Sequence, residues 1–385
     1  MSRIKAVGLG IAFAASLLFG SYTRGSSPPA VPEPEGPNLE DSESAAPKHV
    51  PGEVLVKFKK FVAAEEKARG HAEADAEVLL EVPDLGVQKV RSRRGESAGV
   101  LIKRYRKNPH VEYAEPNWIL RASLIPNDPR FPELHGLHNV GQAGGIPDAD
   151  VDAPEAWDLE IGSPDVIVAV IDSGVDYTHE DLKGRIWRNP GEVPGNGLDD
   201  DGNGFPDDVL GWDFVHNDND PMDDYGHGTH AAGTAAAEGD NGLGIAGAAW
   251  RATILPLKFL NAEGEGSTDA AIRAILYASA RGARVSGNSW GCAQSGCVSR
   301  ALEDAIRLAG RRGMLFVASA GNRGLDNDRI LTVPCAAAAP NVLCVAATAP
   351  DDRKAGFSNY GAATVDLGAP GVGILSTVPT GGCPL

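Results

Sequence analysis

Residues Asp165 to Ile171 read Asp-Val-Ile-Val-Ala-Val-Ile, an apolar run with no polar alternation. A strand reads this way when both of its faces are buried in a parallel sheet. The remainder of the chain repeats the theme. Thr253 to Leu260 reads as a strand, Ser267 to Arg281 as a helix and Ala283 to Ser289 as a strand. Ser299 to Arg312 follows as a helix and Met314 to Ser319 as a strand, with short strands at Val342 to Ala347 and Val365 to Leu367. Alternating strands and helices connect by right-handed crossovers, so the pattern predicts an α/β domain with a parallel sheet flanked by helices. At 385 residues, 42% of them hydrophobic, the chain has room for that domain and a smaller one.

Open α/β sheets place their sites at the carboxyl ends of strands. The first strand ends in Asp172-Ser173-Gly174 and the strand from Met314 in Ala320-Gly321-Asn322. A third polar position, His227, lies between two glycines where the small-residue run Ala231, Ala232, Gly233, Ala235, Ala236, Ala237 begins a helix. Two of them have an ordinary structural reading: a turn or helix-capping aspartate and a surface or core histidine. Taken together the three match a chemistry. A carboxylate fixes the tautomer of an imidazole, the imidazole takes a proton from a nucleophile, and a carboxamide N–H stabilises an oxyanion. This is acyl-transfer machinery without its nucleophile.

The front of the chain differs. Arg3 and Lys5 precede an apolar run from Ala6 to Phe19, shorter than the roughly 20 residues of a membrane span, so residues 1–22 read as an export signal, with an uncut anchor as the other reading. Residues 23–49, with Pro28, Pro29, Pro32, Pro34, Pro37 and Pro47, read as a disordered linker. Residues 50–122 read as a small α+β unit, with strands at Gly52 to Phe58, Val87 to Val90 and Val100 to Ile102 and a helix at Phe61 to Ala76. That unit is mildly basic, whereas residues 122–385 carry 17 basic against 36 acidic side chains and the whole chain has a formal charge of −17. Such a surface excludes nucleic acid and anionic membranes as partners. Export implies an oxidising compartment, so Cys292 with Cys297 and Cys335 with Cys344 are candidate disulfides, leaving Cys383 unpaired.

Three motifs in order resemble the subtilisin-like serine peptidases: Val168 to Val175 around Asp172, His227-Gly228-Thr229-His230, and Ala320-Gly321-Asn322. The resemblance covers Ala153 to about Thr377. It implies Asp172, His227 and Asn322 as catalytic residues, and Ser289, Trp290, Gly291 and Gly321 as substrate-binding residues, with the segment at Ser289 pairing with an extended peptide as an added strand. It also implies that residues 50–122 form a ferredoxin-like propeptide that inhibits its own enzyme intramolecularly, with cleavage near Arg121 to Ser123. Residues 123–385 then form the catalytic domain of a secreted, monomeric endopeptidase, free of the membrane once processed, that takes peptide or protein substrates. One motif of the family has no counterpart: the 385 residues contain no Gly-Thr-Ser, so the catalytic domain is expected to be incomplete at its C-terminus and unable to form an acyl-enzyme. Ser376 sits in a strand-like context and receives no catalytic role.

Between Glu192 and Asp224 lie eleven Asp or Glu residues and no Lys or Arg. Asp199, Asp201, Asn203 and Gly204 have the spacing of the first half of a calcium loop, with Asp207 or Asp208 replacing the closing Glu, because Leu210 stands where it belongs. A solvated acidic loop is the plain reading; the resemblance favours calcium. The rival functions are a noncatalytic peptide- or calcium-binding protein that keeps only the groove, and a metallohydrolase using His227, His230 and nearby aspartates.

Overall fold

The structure, a computed structural model of the chain, describes residues 49–119, 124–292 and 297–381. The expected export signal, nearly all of the linker, the cleavage region and Cys383 lie outside these residues. The chain forms two compact units whose described parts are residues 49–119 and residues 124–292 with 297–381.

The smaller unit runs β1 (His49–Phe58), α1 (Ala64–Ala74), β2 (Ala76–Val82), β3 (Val87–Ser92), α2 (Ala98–Tyr105) and β4 (Val111–Trp118). Its antiparallel sheet has the order β2-β3-β1-β4, the split β-α-β arrangement of ferredoxin-like units. The strand expected at Val100 to Ile102 is instead part of α2. Its buried residues Ala98, Leu101, Ile102 and Tyr105 follow the i, i+3, i+4, i+7 spacing of a helix, a period the short apolar run conceals. Val54, Val56, Phe58, Val90 and Ala114 complete the core beneath it.

That core contains a histidine. His71 on α1 is 7% exposed and meets the Phe58 ring edge-on. Its Nε2–H donates to Gln88 Oε1 (2.9 Å), and its Nδ1 accepts from the Tyr105 hydroxyl (2.8 Å), an assignment that satisfies the neutral ring. Burial holds the imidazole below its ordinary value of 6.5. The unfolded chain therefore takes up a proton near pH 6.5 that the folded unit refuses, so stability is full above that pH and is lost as pH falls toward the folded value. Amide-exchange protection at Val54 and Val56 in the full chain is expected to fall on this acid limb, and His71→Gln is expected to flatten it. An equal slope in both proteins would refute the assignment.

The larger unit runs α3 (Ala153–Trp157), β5 (Ile167–Asp172), β6 (Trp212–Asp213), α4 (His227–Ala236), β7 (Thr253–Lys258), α5 (Thr268–Ala280), β8 (Val285–Asn288), α6 (Arg300–Arg311), β9 (Leu315–Ser319), β10 (Val342–Thr348) and β11 (Leu367–Pro370). Its sheet, β11-β10-β9-β8-β5-β7-β6, is parallel throughout and flanked by helices. Ser267 and Ser299 cap α5 and α6 by accepting from the amides of Ala270 and Leu302, which fixes both starts one residue inside the expected ranges. β5 shows why its sequence lacks alternation: Ala169 and Ile171 feed the core under α5 and α6, while Val168 and Val170 feed the core around α4. It also lies between β7 and β8, where the strand order reverses direction, so Asp172 sits at the topological switch point. The sulfurs of Cys335 and Cys344, and those of Cys292 and Cys297, are at disulfide distance, with Cα separations of 5.0 and 6.4 Å.

Candidate active site

Asp172 ends β5 and is 1% exposed. Its Oδ1 accepts from the Ser173 amide (2.7 Å) and, with Oδ2, from His227 Nδ1–H at 2.8 and 3.0 Å. A carboxylate only accepts, so the imidazole proton lies on Nδ1 and the Nε2 lone pair is left for another proton. The ring is 41% exposed. The Asp172 hydrogen bond, opposed by burial, raises the His227 pKa above 6.5.

The loop before α4 is folded around Asp223. Its carboxylate accepts from Ser173 Oγ, the amides of Tyr225, Gly226 and Thr229, and Thr229 Oγ1. Ser173 Oγ in turn accepts from the Gly228 amide (2.9 Å). Two of the helix's first free N–H groups are thus satisfied by Ser173, the neighbour of Asp172, and by Asp223, to which Ser173 is bonded. Glycine at 228 is required by proximity, since a Cβ there would run into the Gly174 carbonyl oxygen and lie 3.2 Å from Asp172 Cβ.

His227 opens onto a cavity of about 580 Å³ lined also by Tyr225, Glu265, Ser289, Trp290 and Gly291. Trp290 packs edge-on against Phe259 with ring centroids 4.9 Å apart. Gly321 and exposed Asn322 follow β9, on the same carboxyl edge of the sheet as Asp172 and Ser289. Their turn is held by Asn359, a residue that no motif in the sequence singles out. Fully buried, it donates to the carbonyls of Ala320 and, from its amide, Gly321, and accepts from the amides of Arg323 and Leu325. His230 donates to the Ile374 carbonyl (3.1 Å), and Ser376 Oγ donates to the His230 carbonyl (2.7 Å). Both are engaged in holding the chain after β11. A second, apolar cavity of about 450 Å³ lies on this side of the sheet, bounded by Val168, Val285, Val317, Ala231, Ala235 and Leu375.

Of the five residues expected to hold metal, Asp201 and Asp208 come together with Glu192, their carboxylate oxygens within 4.8 Å. Asp199 accepts from the amides of Asn203 and Gly204, and Asp207 from those of Gly195 and Gly197. Asn203 Nδ2 donates to Asp208, whose carboxyl burial pushes up. Arg281 pairs with Asp201 at 2.7 Å. Elsewhere, Asp128 is 3% exposed; Oδ2 accepts from the Asp240 amide (2.6 Å), whereas its buried Oδ1 meets no donor among the described residues. Asp181 and Asn241 are hydrogen-bonded to each other beside it (2.9 Å). In the sequence Asp128 stands between Asn127 and Pro129, a local setting that does not point to Asp181.

The comparisons with known proteins agree with this geometry. Residues 163–383 match the model of the subtilase family, and residues 36–117 that of the fervidolysin N-terminal prodomain. The chain is 39% identical over 334 residues to a thermophilic serine proteinase of Bacillus sp. (strain AK1), spanning 86% of this chain and 72% of that protein. It is 38% identical over 256 residues to thermitase of Thermoactinomyces vulgaris, spanning 66% and 76%. A solved protease structure from Pseudoalteromonas arctica PAMC 21717 superposes with a TM-score of 0.51 at 30% identity, covering 66% of this chain and 74% of that one. A carboxylate–imidazole pair at the switch point of a parallel sheet, matched over most of the larger unit to these peptidases and preceded by a prodomain, makes this chain a member of the subtilase family of serine-type peptidases.

Proposed function

We propose that the chain belongs to an exported serine endopeptidase acting on extended segments of proteins, with its nucleophilic serine not among these 385 residues. The observation that carries this reading is the Asp172–His227 hydrogen bond at the mouth of the larger cavity. Asp172 orients the ring, and His227 Nε2 accepts the nucleophile's proton and returns it to the leaving amine. Asn322 donates to the oxyanion, and the backbone of Ser289 to Gly291 pairs with the peptide. Gly321 leaves the neighbouring wall free of a side chain. The apolar cavity beside α4 is the seat for the helix that brings the serine, since Ser376 is already committed to His230. Residues 50–122 act as the intramolecular inhibitor, and the enzyme works as a monomer outside the cell. No helix among the described residues is long and apolar enough to cross a membrane. The absence of Gly-Thr-Ser favours a second reading, a peptide-binding protein that keeps only the groove.

Expression from the gene with its downstream codons, followed by fluorophosphonate labelling, separates the two readings. A labelled product that hydrolyses unfolded protein is expected, and a folded product that neither labels nor hydrolyses would leave the binder.

Calcium supplies charge neutralisation to folded loops. Asp128 fits it best, because its buried Oδ1 has no donor among the described residues and the Asp181 carboxylate lies beside it; Glu192, Asp201 and Asp208 form the second candidate, already partly neutralised by Arg281. Calcium at about 100 times its dissociation constant is expected to add about 2.7 kcal/mol. Asp128→Asn should remove most of that gain in a thermal-unfolding titration; an unchanged gain would exclude Asp128 as a ligand.

A further inference from the structure

We infer that Lys258 is a positioning residue for the Asp172–His227 pair, tying the two loops that carry them to the end of β7; this rests on the function proposed above. Lys258 closes a strand that is apolar from Ile254 to Leu257, and it is 1% exposed. A buried ammonium is costly unless each of its hydrogens is matched, and an apolar side chain of similar volume would fill the place at lower cost. What the lysine adds is therefore its connections. Its three donors have three acceptors: the Ser173 carbonyl (2.8 Å), the Leu260 carbonyl (2.9 Å) and Asp224 Oδ1 (2.5 Å). The first belongs to the loop after Asp172, the second to β7's own exit, and the third to the loop before His227.

Lys258 also stands opposite Asp172 in the β5–β7 register, and the amides of Phe259 and Leu260 donate to the Asp172 carbonyl (2.9 and 3.2 Å). Residues 258–260 thus grip two successive carbonyls, those of Asp172 and Ser173. Ser173 is the hinge of the arrangement, because its amide serves the Asp172 carboxylate while its hydroxyl links Asp223 to the Gly228 amide. If Ser173 shifts, the carboxylate and the start of the histidine's helix shift by different amounts, and the Nδ1 contact is lost. The cue in the sequence is a lone lysine at the end of the apolar run Ile254 to Leu257.

The test is the titration of His227 by NMR in the full chain labelled with ¹⁵N-histidine, comparing the parent, Lys258→Met and, as a control for lost stability, Leu255→Ala in the core. The parent is expected to titrate above 6.5 with a downfield Nδ1–H signal. In folded Lys258→Met the acid dissociation constant should rise by more than about threefold and the signal weaken, whereas Leu255→Ala should leave both unchanged. A change below about threefold in Lys258→Met, or an equal change in the control, would overturn the proposal. If Lys258→Met does not fold, Asp224→Asn decides by the same threshold. A parent histidine with ordinary titration would instead strike the active-site reading itself, so the two failures are distinguishable.

Discussion

Asp172→Asn is expected to lower turnover of the serine-bearing peptidase by about 10⁴-fold, the size this substitution has in a serine peptidase with the same triad. The geometry supplies the reason. With a carboxylate at 2.8 and 3.0 Å, only Nδ1 can carry the ring proton, so Nε2 faces the cavity as a base. An asparagine can turn its amide N–H toward Nδ1, which puts the proton on Nε2 and removes the base. It also withdraws the negative charge that stabilises the imidazolium. In the 385-residue chain the same substitution is readable without turnover: the His227 pKa should fall from its raised position to 6.5 or below. The sign for stability follows. Because the folded pKa is raised, the pair's contribution is complete below pH 6.5 and disappears as pH rises through the folded value. The stability gap between parent and variant should therefore be widest in acid. A histidine that titrates identically in both proteins would remove Asp172 from the mechanism.

Gly228→Ala is the second large effect. The methyl group would be driven into the Gly174 carbonyl oxygen, which belongs to backbone and cannot swing aside. Gly174 is itself fixed: its φ is +103°, and a Cβ on it would lie 2.6 Å from the Pro221 carbonyl oxygen. The start of α4 must therefore move away from β5, lengthening the His227–Asp172 bond and breaking the Gly228 amide's bond to Ser173. A loss of about 3 kcal/mol is expected from overpacking of this kind, measured as the shift of the denaturation midpoint. The downfield proton signal of His227 should vanish with it. Stability within about 1 kcal/mol of the parent would mean that this approach is not tight.

What the sequence revealed and what it hid follow one physical division. Motifs local in the chain, such as the end of β5 or the glycines around His227, were legible because a few adjacent residues set their backbone. The helices from Ser267 and Ser299 were legible for the same reason, since serine caps act over one turn. Contacts between distant segments left no local trace. Asn359 lies 37 positions beyond Asn322, yet it fixes the turn that presents it. Glu192 joins Asp201 and Asp208 because the acidic stretch doubles back on itself, which the linear spacing of a calcium loop did not anticipate. The strand expected at Val100 failed for a related reason. Three apolar neighbours suit either period, and only Ala98 and Tyr105, buried on the same side, decide for a helix.

β5 divides its residues between two cores, and this restricts how the chain can vary in length. Adding or removing one residue between Val168 and Ile171 would exchange their faces, so that each core would receive the other's side chains and the terminal carboxylate would point away from the histidine. The stretch from Glu192 to Asp224 has no such parity to keep over most of its extent, pairing with the sheet only at Trp212–Asp213. Changes in chain length within this lineage should accumulate there, while β5 keeps its number of residues even if most of their identities drift.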